Sequence, residues 1–208
     1  MADCCSDTEC EIEKLRERQR LTLNVVLAIN AFMFVIEIMA GLLAGSTALL
    51  GDSLDMLGDA IVYAFSLYVV ARSEIWKASS ALIKGGIMAF FGLFVLGQVG
   101  YKILHPLVPR FEIISLIGLL ALAANSVCIF LLWRHRTEDI NMRSVWLCSR
   151  NDIIANISVL VAALGVWFTN SQWPDLLVGL GIAVIFLDSA YRVIRDAINI
   201  FRGKLKKA

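Results

Sequence analysis

Residues 46–71 read STALLGDSLDMLGDAIVYAFSLYVVA, an apolar run long enough to cross a membrane that nevertheless contains three carboxylates. A helix needs about 20 apolar residues to cross about 30 Å of hydrocarbon. A carboxylate near the bilayer centre costs roughly 2.5–3.5 kcal/mol, so Asp52, Asp55 and Asp59 would together cost on the order of 8–10 kcal/mol without compensation. Such residues persist where they face a protein interior, a cation or a water path. They are therefore candidates for function.

The composition of the whole chain indicates a membrane protein. Of its 208 residues 59% are hydrophobic, against about 45–50% in an ordinary soluble domain. Six windows have the length and apolarity of a spanning helix: Leu21–Ala44, Ser46–Ala71, Ser79–Leu104, Phe111–Trp133, Ser144–Phe168 and Leu176–Phe201. We therefore expect an all-α integral membrane protein of six transmembrane helices, located as a multi-pass protein in a bacterial plasma membrane.

The distribution of basic residues predicts how these helices are oriented. The links on one side are rich in Lys and Arg: Lys14, Arg16, Arg18 and Arg20; Arg72 and Lys77; Arg134, Arg136 and Arg143; and Arg202, Lys204, Lys206 and Lys207. The opposite links hold only Lys102 and Arg110, at their edges. Because basic loops stay in the cytoplasm, both termini are predicted to be cytoplasmic. The expected organisation is a Cys-containing cytoplasmic tail (1–20), a six-helix transport domain (21–201) and a short basic cytoplasmic tail (202–208).

Two pairs of metal-ligand residues have the spacing that places them on one helix face. Asp55 and Asp59 are four apart in the second predicted span, and Cys148 and Asp152 are four apart in the fifth. If these two spans pack face to face, the pairs supply four oxygen and sulfur ligands, a set that suits a tetrahedral, zinc-like divalent ion. The predicted metal ligands are therefore Asp55, Asp59, Cys148 and Asp152.

The chemistry of such a site suggests exchange of metal for protons. Neighbouring carboxylates in a dry cavity cannot all ionise, so the metal-free site should hold one or more protons. A divalent cation displaces these protons, because ligands must be deprotonated to bind it. A helical bundle that opens alternately to each side would then act as a proton-coupled metal antiporter.

Two sequence motifs carry a family resemblance. ALLGDxxDxxxD covers residues 48–59 and NMRSVWLCxxxD covers 141–152; Asn30, Glu37, Gly41 and Gly45-Ser46 precede the first motif. Together they resemble the cation diffusion facilitator family, over residues 21–201. The resemblance implies six spans, cytoplasmic termini, and a metal site built from a His/Asp-x-x-x-Asp pair in each of spans two and five. It further implies export of divalent metal from the cytoplasm in exchange for protons, usually by a homodimer.

The chain departs from the family pattern in two ways. Members often have His where this chain has Asp55 and Cys148. Because a thiolate prefers softer ions, Zn²⁺, Cd²⁺ and the softer Hg²⁺ or Pb²⁺ are expected to be favoured over Mn²⁺ or Mg²⁺. The sequence also contains no cytoplasmic metal-binding domain after the sixth span, so dimerisation would depend on the membrane part.

Other polar residues have open interpretations. Asp52 either relays metal or proton or lines a hydrated vestibule, and we favour the vestibule. Asn156 either supports Asp152 or makes an interhelical hydrogen bond. In the acidic N-terminal tail, three closely spaced thiols favour capture of soft metal over incidental cysteines: Cys4, Cys5 and Cys10. Four more polar residues lie in the predicted spans, and they either form a charge network that gates the site or serve packing alone: Glu37, Lys84, Gln98 and Asp188.

The sequence disfavours several other functions. Pairing with Lys84 and Arg150 cannot neutralise all the intramembrane acids, so a purely structural ion-pair network is disfavoured. An intramembrane aspartyl protease is disfavoured because Asp59 lacks the Gly-x-Gly-Asp context and no Tyr-Asp dipeptide occurs. A four-ligand site binds too tightly for a passive channel. The alternative that remains is a non-transporting metal sensor or partner subunit. We expect no enzymatic activity, no resident cofactor and no nucleic acid partner; the partners are metal ions, protons and the lipid bilayer.

Overall fold

The structure is a computed structural model that describes the backbone of residues 3–69, 74–134 and 140–205. Side chains are described for most residues from 17 to 198, except 62, 65, 66, 68, 69, 74–81, 83, 84, 140–145, 147, 148, 151, 196 and 197. The described residues form six α-helices: α1 (Asp3–Ala44), α2 (Thr47–Val69), α3 (Glu74–Leu104), α4 (Phe111–Trp133), α5 (Ile140–Thr169) and α6 (Trp173–Leu205). The expected all-α architecture of six helices is confirmed.

Five segments of these helices are long and apolar enough to cross a membrane: Glu17–Ala44, Gly85–Leu104, Phe111–Trp133, Asp152–Thr169 and Trp173–Arg195. The sixth helix, α2, has 23 residues but fails on composition, because every stretch of 18 residues within it contains all three aspartates. The chain is thus a multi-pass membrane protein. The membrane crossing of α2 and the cytoplasmic location of both termini remain predictions.

The first helix begins much earlier than the first predicted span. The sequence placed the start of that span at Leu21, whereas α1 runs without interruption from Asp3 to Ala44. Residues 3–20 contain neither Gly nor Pro and are rich in Glu, Lys and Arg, which favour helix, so nothing breaks the helix before the apolar run. The side chains of the tail cysteines lie outside the described residues, and their predicted contact with metal remains a prediction.

The helices pack with α2 at the centre of the bundle. α2 contacts α1, α3, α5 and α6, while α3 packs mainly on α6 and α4 mainly on α5. The largest cluster of buried apolar side chains draws on all six helices and includes Ala40, Leu49, Val95, Ile114, Val159 and Phe186. Outward faces carry many exposed apolar side chains, as expected where a bundle faces lipid. A helix that carries three carboxylates is therefore held inside the bundle.

Short links join the helices at the end of the bundle remote from both termini, called the distal end below. Gly45 turns the chain between α1 and α2 with a positive φ of 63°, a conformation that glycine adopts without strain. The backbone N–H of Ser46 donates to the carbonyl of Gly41 over 3.0 Å and closes the turn. The links at this end are short: two residues separate α1 from α2, residues 105–110 separate α3 from α4, and α6 begins at Trp173.

Candidate metal site

A cavity of about 480 Å³ lies among α2, α3, α5 and α6 and contains three of the four predicted ligands. Asp55 and Asp59 line it from α2, and Asp152 lines it from α5. The rest of the lining is mainly apolar, with Gly58, Ile61, Ile87, Met88, Phe91, Ile154, Ala155, Ser158, Val178, Gly181, Ile182, Ile185, Phe186 and Ser189. The expected packing of α2 against α5 is present, and it brings acids 93 or more residues apart in sequence to one cavity.

The three carboxylates differ in how far they are shielded. Asp59 and Asp152 are buried, with 8% and 7% of their surface exposed, and Asp55 is half-buried. The hydroxyl of Tyr63, one helical turn after Asp59, donates to Asp59 Oδ2 over 2.7 Å. A hydrogen bond of this kind fixes the orientation of a carboxylate that could bind a metal. Sequence reasoning missed Tyr63, although its i+4 spacing from Asp59 could have identified it.

The fourth predicted ligand, Cys148, lies on α5 one turn before Asp152, but its side chain is outside the described residues. Among the side chains that are described, no three His, Cys, Asp or Glu residues are gathered closely enough to hold a metal ion. The carboxylates of Asp55, Asp59 and Asp152 thus line one cavity without forming a closed coordination shell. Completing the shell requires the undescribed thiol or a closer approach of α2 and α5.

The described lining of the cavity contains no basic side chain. In the described part of the chain, Lys102 is the only buried basic side chain, and it lies at the distal end with Asp175. Arg150 is exposed on α5 and stacks over the ring of Trp146, with 5.8 Å between the guanidinium carbon and the ring centroid. Arg150 does not line the cavity, as expected from its position between the two α5 ligands. The side chain of Lys84 lies outside the described residues.

Two further candidates lie inside the bundle. Asp52 is 1% exposed and does not line the cavity; its Oδ2 has no hydrogen-bond partner among the described residues. Asn156 is fully buried, and its Nδ2 donates to the backbone carbonyl of Asp152 over 2.7 Å rather than to the carboxylate. The Oδ1 of Asn156 has no hydrogen-bond partner among the described side chains. Both residues remain candidates for roles beside the cavity.

The interior also contains polar groups that the motifs did not single out. Cys128 on α4 is fully buried, packs in one cluster with Tyr63 of α2 and lies 3.9 Å from the donating Nδ2 of Asn30. Glu37 on α1 is fully buried, and neither of its carboxylate oxygens has a hydrogen-bond partner among the described residues. Polar residues thus extend from the cavity into the contacts of α2 with α1 and α4. Residues from distant parts of the chain form these contacts, so no local pattern identifies them.

The sequence matches a known family over most of its length. Residues 23–201 match the family described as the cation efflux transmembrane domain, which is more than half of the chain. The chain belongs to the cation efflux family. The family predicted from the two motifs is confirmed. Members of this family are transporters, so the chain is not an enzyme.

Curated relatives of this cation efflux protein are distant in sequence. The zinc transporter ZitB of Escherichia coli K12 is 25% identical over 213 residues, which covers 96% of this chain and 67% of the relative. The cadmium, cobalt and zinc/H(+)-K(+) antiporter of Bacillus velezensis is 24% identical, with 88% and 62% covered. The metal cation efflux system protein CzcD of Cupriavidus metallidurans is 21% identical, with 86% and 60% covered. The chain therefore spans 60–67% of the length of these relatives.

Proposed function

We propose that this protein exports divalent transition metal ions from the cytoplasm in exchange for protons, with Asp55, Asp59, Cys148 and Asp152 as the metal ligands. The observation that carries the proposal is the cavity lined by three of these residues from α2 and α5. Family membership supports the reaction class, and the relatives' names include zinc transporters and an H(+)-K(+)-coupled metal antiporter.

The proposed mechanism uses the same carboxylates for both substrates. Asp59 and Asp152 lie buried in a mainly apolar cavity that they share with Asp55, and the proposed cycle places one or more protons on this set of carboxylates when metal is absent. A divalent cation neutralises two negative charges and displaces protons from the ligands. In the proposed cycle, metal and protons compete for the same carboxylate oxygens. This competition couples the two fluxes.

The finer features of the proposal follow from the chain's own residues. α2 crosses the membrane as the sixth span, since its 23 residues reach about 35 Å at 1.5 Å per residue. Zn²⁺ is the expected main substrate and Cd²⁺ the next, because Cys148 contributes a soft sulfur ligand. Both termini are cytoplasmic, and the transporter acts as a homodimer, as the family resemblance implies.

Metal flux in proteoliposomes tests this function. The purified protein is reconstituted, a pH gradient is imposed, and uptake of Zn²⁺, Cd²⁺ and Mn²⁺ is followed with a metal-sensitive dye. We expect flux driven by the pH gradient that Asp59→Ala abolishes and that the control Glu112→Gln, an exposed acid in the first turn of α4, leaves unchanged. Cys148→His should shift the preference from Cd²⁺ toward Zn²⁺, because an imidazole replaces the softer thiolate.

Other outcomes would contradict the proposal. Flux that survives Asp59→Ala would remove the cavity from the transport path. An unchanged Cd²⁺-to-Zn²⁺ ratio in Cys148→His would exclude the thiol as a ligand. Binding of metal without any flux in the unaltered protein would favour the sensor or partner subunit instead. In that case, replacing Cys4, Cys5 and Cys10 by Ser should abolish function, whereas a transporter should keep most of its flux.

A further inference from the structure

A buried hydrogen-bonded cluster closes the distal end of the bundle around Asp175, the third residue of α6. Its side chain is fully buried. The carboxylate accepts hydrogen bonds from the Ser46 hydroxyl, from the backbone N–H of Thr47 over 2.6 Å and from the backbone N–H of Ala48 over 3.2 Å. One carboxylate of α6 thus binds the first turn of α2, whose N–H groups have no partners within their own helix.

A lysine from a third helix completes this cluster. The ammonium of Lys102, at the end of α3, donates to the carbonyl of Gly45 and lies 3.8 Å from Asp175 Oδ2. The side chain of Gln172 extends the network by donating to the backbone carbonyl of Lys102 over 3.2 Å. We call Gly45, Ser46, Thr47, Ala48, Lys102, Gln172 and Asp175 the Asp175 cluster. It joins the α1–α2 turn, the end of α3 and the start of α6.

The Asp175 cluster lies between the metal-site cavity and the distal end. On α2 the cavity begins at Asp55, seven residues or about 10 Å beyond Ala48. In the intervening segment α2 and α6 touch closely: a Cβ at Gly179 would lie 2.7 Å from Thr47 Cγ2, and a Cβ at Gly51 would lie 3.4 Å from Ile182 Cβ. These contacts leave no space for an ion between the two helices there.

An antiporter with an enclosed site must open alternately toward each side of the membrane, so a contact that seals one end has to separate during the cycle. This step depends on the proposed antiport function. The bonds in the Asp175 cluster are suited to such a reversible seal. A carboxylate, an ammonium and backbone groups can exchange their partners for water when the end opens, whereas an apolar seal would expose surface that water does not solvate favourably.

We propose that the Asp175 cluster is the distal gate of the metal pathway. In the closed gate, Asp175 and Lys102 hold the α1–α2 turn against α6 and α3. In the open gate, the first turn of α2 separates from α6, and Asp175 and the N–H groups of Thr47 and Ala48 become hydrated. Metal and protons then pass between the cavity and the distal side.

A disulfide across the α2–α6 contact tests this gate. Thr47→Cys with Gly179→Cys would place two Cβ atoms about 3.0 Å apart, within a shift of about 0.5 Å of the 3.5–4.5 Å found in disulfides, and neither residue lines the cavity. The pair is made in protein with Cys4, Cys5, Cys10 and Cys128 replaced by Ser, and Cys148 is retained. We expect at least a tenfold loss of pH-driven Zn²⁺ flux on oxidation and recovery on reduction. Zn²⁺ binding should change less than about twofold, because the cavity remains loaded from the other end.

Single-cysteine variants control this experiment. Thr47→Cys alone and Gly179→Cys alone should show the same flux with and without oxidant. An oxidised, cross-linked double variant that transports at its reduced rate would overturn the gate. Unaltered protein without pH-driven flux would instead contradict the antiport function itself, so the two failures are distinguishable.

Accessibility of one position provides a second measurement if the double variant does not fold. Thr47 is fully buried in the closed cluster, so a membrane-impermeant maleimide should react slowly with Thr47→Cys when metal is absent. During pH-driven transport the reaction from the distal side should accelerate at least severalfold, because the first turn of α2 becomes hydrated in the open state. A labelling rate that stays the same during transport would exclude opening at the Asp175 cluster.

Discussion

Removal of the Asp175 carboxylate should destabilise the protein more than removal of any exposed acid. The side chain is fully buried, and its two oxygens accept hydrogen bonds from the Ser46 hydroxyl and from two backbone N–H groups in the first turn of α2 and lie beside the Lys102 ammonium. Asp175→Ala leaves a buried ammonium without its counter-charge and two backbone N–H groups without acceptors. The expected effect is therefore on the order of a broken buried ion pair rather than of a lost surface contact.

The magnitude follows from those contacts. Removing one partner of a buried charge pair costs about 3–5 kcal/mol, so we expect a loss of that size in the free energy of unfolding for Asp175→Ala. Asp175→Asn keeps one acceptor oxygen and the shape of the side chain, so it should lose about 1–3 kcal/mol, the cost of an unsatisfied buried donor. Glu112→Ala is the matched control: an exposed acid in a helix first turn at the same end, worth about 0.3–1 kcal/mol.

Unfolding in mixed detergent micelles, followed by the fluorescence of the five tryptophans, measures these differences. The double variant Asp175→Ala with Lys102→Met should be less destabilised than the sum of the two single variants, because the methionine removes the unpaired charge. If Asp175→Ala loses no more stability than Glu112→Ala, the carboxylate does not hold the distal end together. Additive single effects would show that Lys102 and Asp175 do not interact.

Two further predictions concern packing and the metal site. Gly92→Ala should destabilise the protein by about 1–3 kcal/mol, because its Cβ would lie 2.8 Å from Leu187 Cγ. The control Gly97→Ala on the same helix should not, because its Cβ would have nothing within 4 Å. Thermal unfolding compares the two variants, and equal losses of stability would contradict the packing of Gly92 against Leu187. Tyr63→Phe removes the donor to Asp59 Oδ2 and should weaken Zn²⁺ affinity about 10–100-fold in a competition assay with a metal dye. Unchanged affinity would mean that this hydrogen bond does not orient a ligand.

Much of the candidate site follows from local spacing. The i, i+4 pairs on α2 and α5 could be found without a structure, because a regular helix puts such residues on one face. The same i, i+4 spacing could have pointed to Tyr63 as a partner of Asp59, whereas the full burial of Glu37 on α1 needed the structure, since that side chain could have served surface solvation. The position of Asp52 also required the structure: it lies three residues before Asp55 on the same helix, yet only Asp55 lines the cavity.

The helix boundaries, too, follow partly from the sequence and partly from the structure alone. The predicted spans follow apolar composition, which marks the part of a helix that suits the bilayer, but α1 continues through a polar segment back to Asp3 because hydrogen bonding within a helix does not depend on hydropathy. In α1 the helix is longer than the apolar span, whereas in α2 the helix contains more charge than a spanning segment usually does. Its sequence predicts a span, while its three acids make it too polar by composition, and its burial among α1, α3, α5 and α6 explains how such a helix is tolerated.

The sequence by itself determined that the chain is an all-helical membrane protein of the cation efflux type, with paired candidate ligands on its second and fifth helices. These properties depend on local composition and on spacing within one helix. Only the tertiary structure decided that α3 and α6 complete the cavity and that Asp175 binds the first turn of α2 together with Lys102. In lipid, hydrophobicity does not select which helices meet, so shape and polar contacts between distant residues decide the arrangement.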